Sequence, residues 1–199
     1  MNNVKKIVAV LGAGLLILVT GCSSSNSAAT VGKTEIPLKT LQGTVSEIIE
    51  ERNKVETTGL TLATGAELNV NAVRFHVISV LFDDIAERIK VKITDAEIAA
   101  RRADIVLQVG GEDRIAFSLV GAQIAPRDFE RYIRTVLLAE KLGEALKANG
   151  DTSTDGSGIQ KLIIGMAKEQ KVEINPRYGV WDYATGNIAP IADNATVKK

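Results

Sequence analysis

The stretch Val70-Asn71-Ala72-Val73-Arg74-Phe75-His76-Val77-Ile78-Ser79-Val80-Leu81-Phe82-Asp83-Asp84-Ile85-Ala86-Glu87-Arg88-Ile89 decides the reading of the fold. Val70, Val73, Val77, Leu81, Ile85 and Ile89 recur at three- and four-residue steps, with Ile78 and Phe82 beside them. That spacing places one broad apolar face on a helix. No face beyond the N-terminal apolar run is richer in apolar side chains, so this helix is expected at the centre of the core.

Upstream, Thr57 to Asn69 reads as a Thr- and Gly-rich loop. Before it, Leu38, Leu41, Val45, Ile48, Ile49 and Val55 form one stripe of a helix running to about Glu56. Pro37 suits its first turn, where no N–H is needed, and Gly43 weakens it by about 1 kcal/mol. Thr30 to Ile36 reads as a short extended segment. Downstream, Thr94-Asp95-Ala96-Glu97 is a capping box. A third helix therefore starts near Asp95, burying Ile98, Ile105 and Val106 and stopping before Gly110-Gly111. Glu112 to Val120 is a short helical piece. Pro126 opens a fifth helix facing Phe129, Ile133, Val136, Leu137, Leu142 and Leu146 inward, with Asp128 and Lys147 favourably placed at its two ends. Residues 149–158 hold no apolar side chain and read as a linker. Ile159, Leu162, Ile163, Met166 and Ala167 line a last helix, Val172 to Ile174 a brief strand, and the tail from Thr185 is expected to be loose. The expected fold is mainly α, with about six helices and short extended segments at both ends.

The N-terminus carries a different signal. Lys5 and Lys6 precede Ile7 to Val19, which holds no charge, and Ser23 to Ser27 can form no core. A basic start, an apolar run and small residues before a cut describe a secretory signal peptide, here residues 1–21. The run falls short of the roughly 20 residues a membrane helix needs. Val19-Thr20-Gly21-Cys22 resembles the lipobox of bacterial lipoproteins, which implies lipidation of Cys22 and a cell-membrane anchor on the extracytoplasmic face. Acyl chains stabilise such an anchor by about 0.8 kcal/mol per buried CH₂, and residues 22–29 would be a flexible tether. Cys22 is the one cysteine in the chain, so once it is lipidated no thiol remains for a disulfide or metal. Basic and acidic residues number 24 each; losing Lys5 and Lys6 leaves acids in excess by two, which argues against a nucleic-acid partner.

Candidate sites are few. His76 is the sole histidine, and a lone histidine on a helix is more often packed or surface-lying than catalytic. Asp83, Asp84 and Glu87 are followed by Arg88 and Lys90 and read as a solvated face. Asp151 and Asp155 lack the closing glutamate of a calcium loop. Gly12 and Gly14 belong to the signal segment. Tyr178, Trp181 and Tyr183 form the densest aromatic cluster, read either as a latch on the helices or, with Phe82 and Met166, as part of a groove for apolar peptides. No catalytic residue, cofactor or metal site is expected.

The order of elements carries a further resemblance. An exported start, long helices, Ile93-Thr94-Asp95-Ala96-Glu97-Ile98, then Gln123-Ile124-Ala125-Pro126-Arg127-Asp128-Phe129, and the ending Lys171-Val172-Glu173-Ile174-Asn175-Pro176-Arg177-Tyr178-Gly179 with Trp181-Asp182 resemble the chaperone domain of SurA-type and PrsA-type foldases. The resemblance spans roughly residues 28–184; the domain is read as 30–184, with 185–199 as the tail. In that family a parvulin isomerase domain with paired histidines can be inserted where this chain has only the linker 149–158. The resemblance therefore implies a non-catalytic, lipid-anchored chaperone whose partners are unfolded exported polypeptides. The alternative is an adaptor lipoprotein that docks one folded envelope partner.

Overall fold

The computed structural model describes residues 26–150, 153 and 155–191. The expected signal segment, Cys22 and Asp151 lie outside the described residues. Among those described, six α-helices and five short strands make the fold mainly α.

The central stretch is helix α2 (Gly65–Arg88), longer at its N-terminal end than its stripe suggests. Leu68, Ala72, Val73, His76, Val77, Leu81, Phe82, Ile85 and Ala86 are all buried. Helices α1 (Leu38–Arg52), α5 (Phe129–Ala148) and α6 (Ser157–Gln170) surround it. Arg88 of α2 forms a two-pronged ion pair with Glu169 of α6, at 2.7 and 2.5 Å. In sequence, α3 (Asp95–Val109) and α4 (Ile115–Ala122), joined by a 3-10 turn at Glu112–Arg114, come between α2 and α5. A second 3-10 turn, Pro126–Asp128, leads into α5.

The N-terminus differs from its reading. Residues 27–29 are not tether but strand: β1 (Ser27–Val31) turns back at Gly32 into β2 (Thr34–Pro37). Ala28 and Ala29 are buried. Their small side chains look like linker composition, yet small is what fits beneath a sheet packed on α2. On the other flank of β1 lies β3 (Glu173–Ile174), giving an antiparallel sheet of order β2-β1-β3. The Asn175 amide seals the joint by donating to the Ser27 carbonyl at 2.9 Å.

Three further corrections follow from particular contacts. Helix α1 ends at Arg52 rather than near Glu56, because the Arg52 guanidinium donates to the Ala63 carbonyl at 2.8 Å and to Gln123 Oε1 at 3.1 Å. Those bonds draw the following loop back across the helix end. Gly43 is not merely a weak helix former: a Cβ there would lie 2.2 Å from Nη1 of Arg127, which crosses the helix to reach Glu47 at 2.5 Å. The tail is ordered further than expected, since β4 (Val180–Asp182) pairs with β5 (Asn187–Ala189). Gly179 permits this pairing, with φ +126° and no room for a Cβ beside the Ala189 carbonyl.

Candidate functional site

Helix α3 begins as its capping box dictates. The Thr94 hydroxyl accepts from the Glu97 N–H, while the Glu97 carboxylate accepts from the Thr94 N–H at 2.8 Å. Lys141, first, and the Thr94 bonds hold the Glu97 carboxyl down at about 2. The helix nevertheless buries no side chain completely; Ile98, Ile105 and Val106, expected in the core, are only half-buried. Ile98, Ile105, Val106 and Val109 pack half-buried against the core; the polar ties to α5 are surface ion pairs, Arg101 with Glu140 and Lys141 with Glu97, and Arg102 pairs with Glu112. Exposed pairs of this kind contribute about 0–1 kcal/mol each. Helix α3 is thus an arm laid over the bundle rather than a member of its core. Beneath it runs an open cleft of about 510 Å³ lined by Ile98, Ala99, Ile115, Leu119, Pro126, Phe129 and Ile133, with Asp95, Arg102 and Glu130 on the same wall.

A second feature is polar and deep. The Thr44 hydroxyl of α1 donates to Asp128 Oδ2 at 2.6 Å and lies 3.0 Å from Nε2 of His76. All three residues are buried. A hydroxyl has one proton, so its oxygen must accept from His76, which fixes the imidazole as the Nε2–H tautomer. Burial pushes the His76 pKa below its ordinary value; Asp128 opposes this shift and Arg131 adds to it. The direct His76–Asp128 separation of 3.9 Å is too long for a hydrogen bond. Thr44 and Asp128 also line a cavity of about 290 Å³, with Asn71, Gln123 and Tyr132 as further polar walls. The trio is not set up for nucleophilic catalysis. Its histidine presents N–H to the hydroxyl and so does not take the hydroxyl's proton, which is directed at Asp128 Oδ2 instead. Its role in the fold is a buried cross-link of α1, α2 and the start of α5. Of the two readings the sequence left for His76, packed or surface-lying, the structure shows the packed one; the sequence held no signal for Thr44 or for the second role of Asp128.

The remaining candidates are placed as follows. Phe82 and Met166 sit in the main core, and Trp181 joins them from β4 while Tyr178 packs half-buried against the same cluster. Tyr183 donates its hydroxyl to the Val172 carbonyl at 2.9 Å. These contacts hold the C-terminal segment against the helices as a latch does. Asp83 pairs with Arg134 at 2.9 Å. Burial raises the Asp84 pKa, and neighbouring Asp83 and Glu87 add to the rise. Asp155 accepts from the Ser157 N–H at 3.0 Å at the start of α6. Among the described residues there is no cluster of three histidine, cysteine or acidic side chains able to hold a metal. Nor is any described helix long and apolar enough to cross a membrane. Comparison with protein-family models, curated proteins and solved structures gave no match.

Proposed function

We propose that this protein is a membrane-anchored, extracytoplasmic chaperone-like binder that holds unfolded or apolar segments of exported polypeptides without catalysis. The observation that carries the reading is the apolar cleft beneath α3, roofed by an arm that buries no residue completely. Opening such an arm breaks exposed ion pairs and half-buried contacts, which is inexpensive, and it uncovers a surface that tolerates many apolar sequences. The signal-like N-terminus and Cys22 support the location, and the SurA-like order of elements supports the class of ligand.

The test uses the purified full chain in detergent, mixed with a chemically unfolded substrate that aggregates on dilution. Stoichiometric protein is expected to suppress the light scattering. Ala99→Arg, at an exposed position on the cleft wall, should remove most of that effect while leaving the helical signal intact. No suppression by the unaltered chain at several-fold excess would overturn the reading. Capture of a single folded partner, with no affinity for unfolded chains, would select the adaptor alternative instead.

A further inference from the structure

The cavity of about 290 Å³ beside Thr44 and Asp128 is walled by three helices and a connection. Thr44 and Ile48 face it from α1, and Leu68, Asn71 and Phe75 share one stripe of α2. Residues 122–125 close another side, and Asp128 and Tyr132 enter from the start of α5. Ile48, Leu68 and Ala125 belong to a small apolar cluster separate from the main core, which includes Ala72. Both clusters line the cavity, so it is a gap across which they do not close on each other. Interiors leave few voids larger than a water molecule, and a gap with apolar walls and a few placed polar groups is the usual form of a small-ligand site. The polar groups here carry opposite charges at different depths. Asp128 is 6% exposed. Its Oδ2 accepts from Thr44 at 2.6 Å; its Oδ1 accepts from none of the described residues and is not sealed from solvent, which reaches Asp128 through this cavity. The cross-link through Thr44 holds the carboxylate in one orientation, so a ligand meets it already ordered. Arg74, by contrast, is exposed and stands at the mouth.

A fixed negative charge inside, a positive charge at the rim and an apolar wall between them complement a small zwitterion. We propose that this cavity binds a free α-amino acid with an apolar side chain. Its ammonium group donates to Asp128 Oδ1, its carboxylate pairs with the Arg74 guanidinium, and its side chain lies against Ile48, Leu68 and Phe75. An ammonium group has three donors and no acceptor, and the Asn71 amide oxygen and Tyr132 hydroxyl offer further acceptors beside Asp128. Arg74 can grip a carboxylate with two parallel hydrogen bonds. A neutral apolar ligand would bury the Asp128 charge further without compensating it, which is costly, and a simple anion would be repelled by it. The volume lies at the lower end of the roughly 300–1,000 Å³ of ligand cavities, which suits one amino acid and not a polypeptide. This site is therefore separate from the cleft beneath α3.

His76 is the sole histidine, and its Nε2 lies 3.9 Å from Asp128 Oδ2. The ¹⁵N-labelled full chain in detergent therefore gives one set of imidazole signals that reports on the site. The probe is L-leucine, which is expected to shift those signals saturably at millimolar concentration or below. N-acetyl-L-leucine lacks the ammonium group and isoamylamine lacks the carboxylate. Each should bind at least about tenfold more weakly, as the loss of one charge-assisted hydrogen bond implies. Arg74→Gln changes an exposed position; it should weaken leucine about tenfold and leave the affinity for isoamylamine as it was. The absence of a saturable shift at tens of millimolar leucine would overturn the proposal, since the cavity would then hold water only. So would equal binding of N-acetyl-L-leucine, or an Arg74→Gln variant that binds leucine as tightly as the unaltered chain. Ala99→Arg should leave the leucine response unchanged. Failure of aggregation suppression with leucine binding intact would therefore count against the proposed function and not against this site.

Discussion

Thr44 joins three elements with one hydroxyl, and its removal leaves both neighbours with unmet needs. Thr44→Val keeps the shape but strands the Asp128 carboxylate and the His76 N–H in a buried setting. A loss of about 1–3 kcal/mol is expected, read as a lower urea midpoint at pH 7.5. His76 adds a pH dependence whose sign follows from its lowered pKa. In the unfolded chain the imidazole takes up a proton near its ordinary value, whereas in the fold it resists doing so. The unfolded state thus binds more protons in that window. The stability contribution is complete above about pH 6.5 and is lost as pH falls from there toward the depressed native value. His76→Gln should flatten the urea midpoint between pH 7.5 and 5; an unchanged slope would show that the imidazole is not the group responsible. None of this could be read from the sequence, because Thr44, His76 and Asp128 are 32 and 84 positions apart. A threonine inside a helical stripe carries no mark of what it will face.

The helices were far more legible than the strands. Periodicity located α2, α5 and α6, and the Thr94–Glu97 box located the start of α3 almost to the residue. The extended reading of Thr30 to Ile36 caught the end of β1 and most of β2, but the first three residues of β1 escaped because Ser27, Ala28 and Ala29 carry no bulk, and β5 escaped because Asn187–Ala189 is too short to show alternation. Periodicity also overstated α3, since a stripe shows which way a helix faces and not how deeply it sinks. The depth has a measurable consequence. Amide exchange should be slowest through the middle of α2 and markedly faster along α3, with an opening free energy below that of global unfolding. Molar salt should speed exchange in α3 but not in α2, because ion pairs tie the arm to α5. Thr94→Ala, which removes the cap, should cost the arm about 1 kcal/mol and speed its exchange further. Equal protection of α2 and α3 would contradict the picture of a detachable arm.

At the scale of the whole chain, the location of β1 tightens the proposed anchoring. Ser27 already belongs to the folded unit, and a fully extended chain from Cys22 reaches it within at most about 18 Å. The sheet end of the molecule would then sit close to the lipid, with far less tether than residues 22–29 would give. Cys22→Ser is expected to leave the protein unprocessed or released from the membrane fraction; a variant still cleaved and acylated would refute the lipobox reading. An Xaa-Pro peptide isomerisation assay on the full chain should return the uncatalysed rate. The joint between β1 and β3 also governs when the protein can finish. Ser27 and Asn175 touch across 148 positions of sequence. In a chain that emerges N-terminus first, β1 therefore has no partner on this flank until residues 173–175 follow. Until then the hairpin of β1 and β2 has one unpaired flank, and closure of the sheet is a late, long-range step. The part of the protein nearest its beginning is the last to be completed.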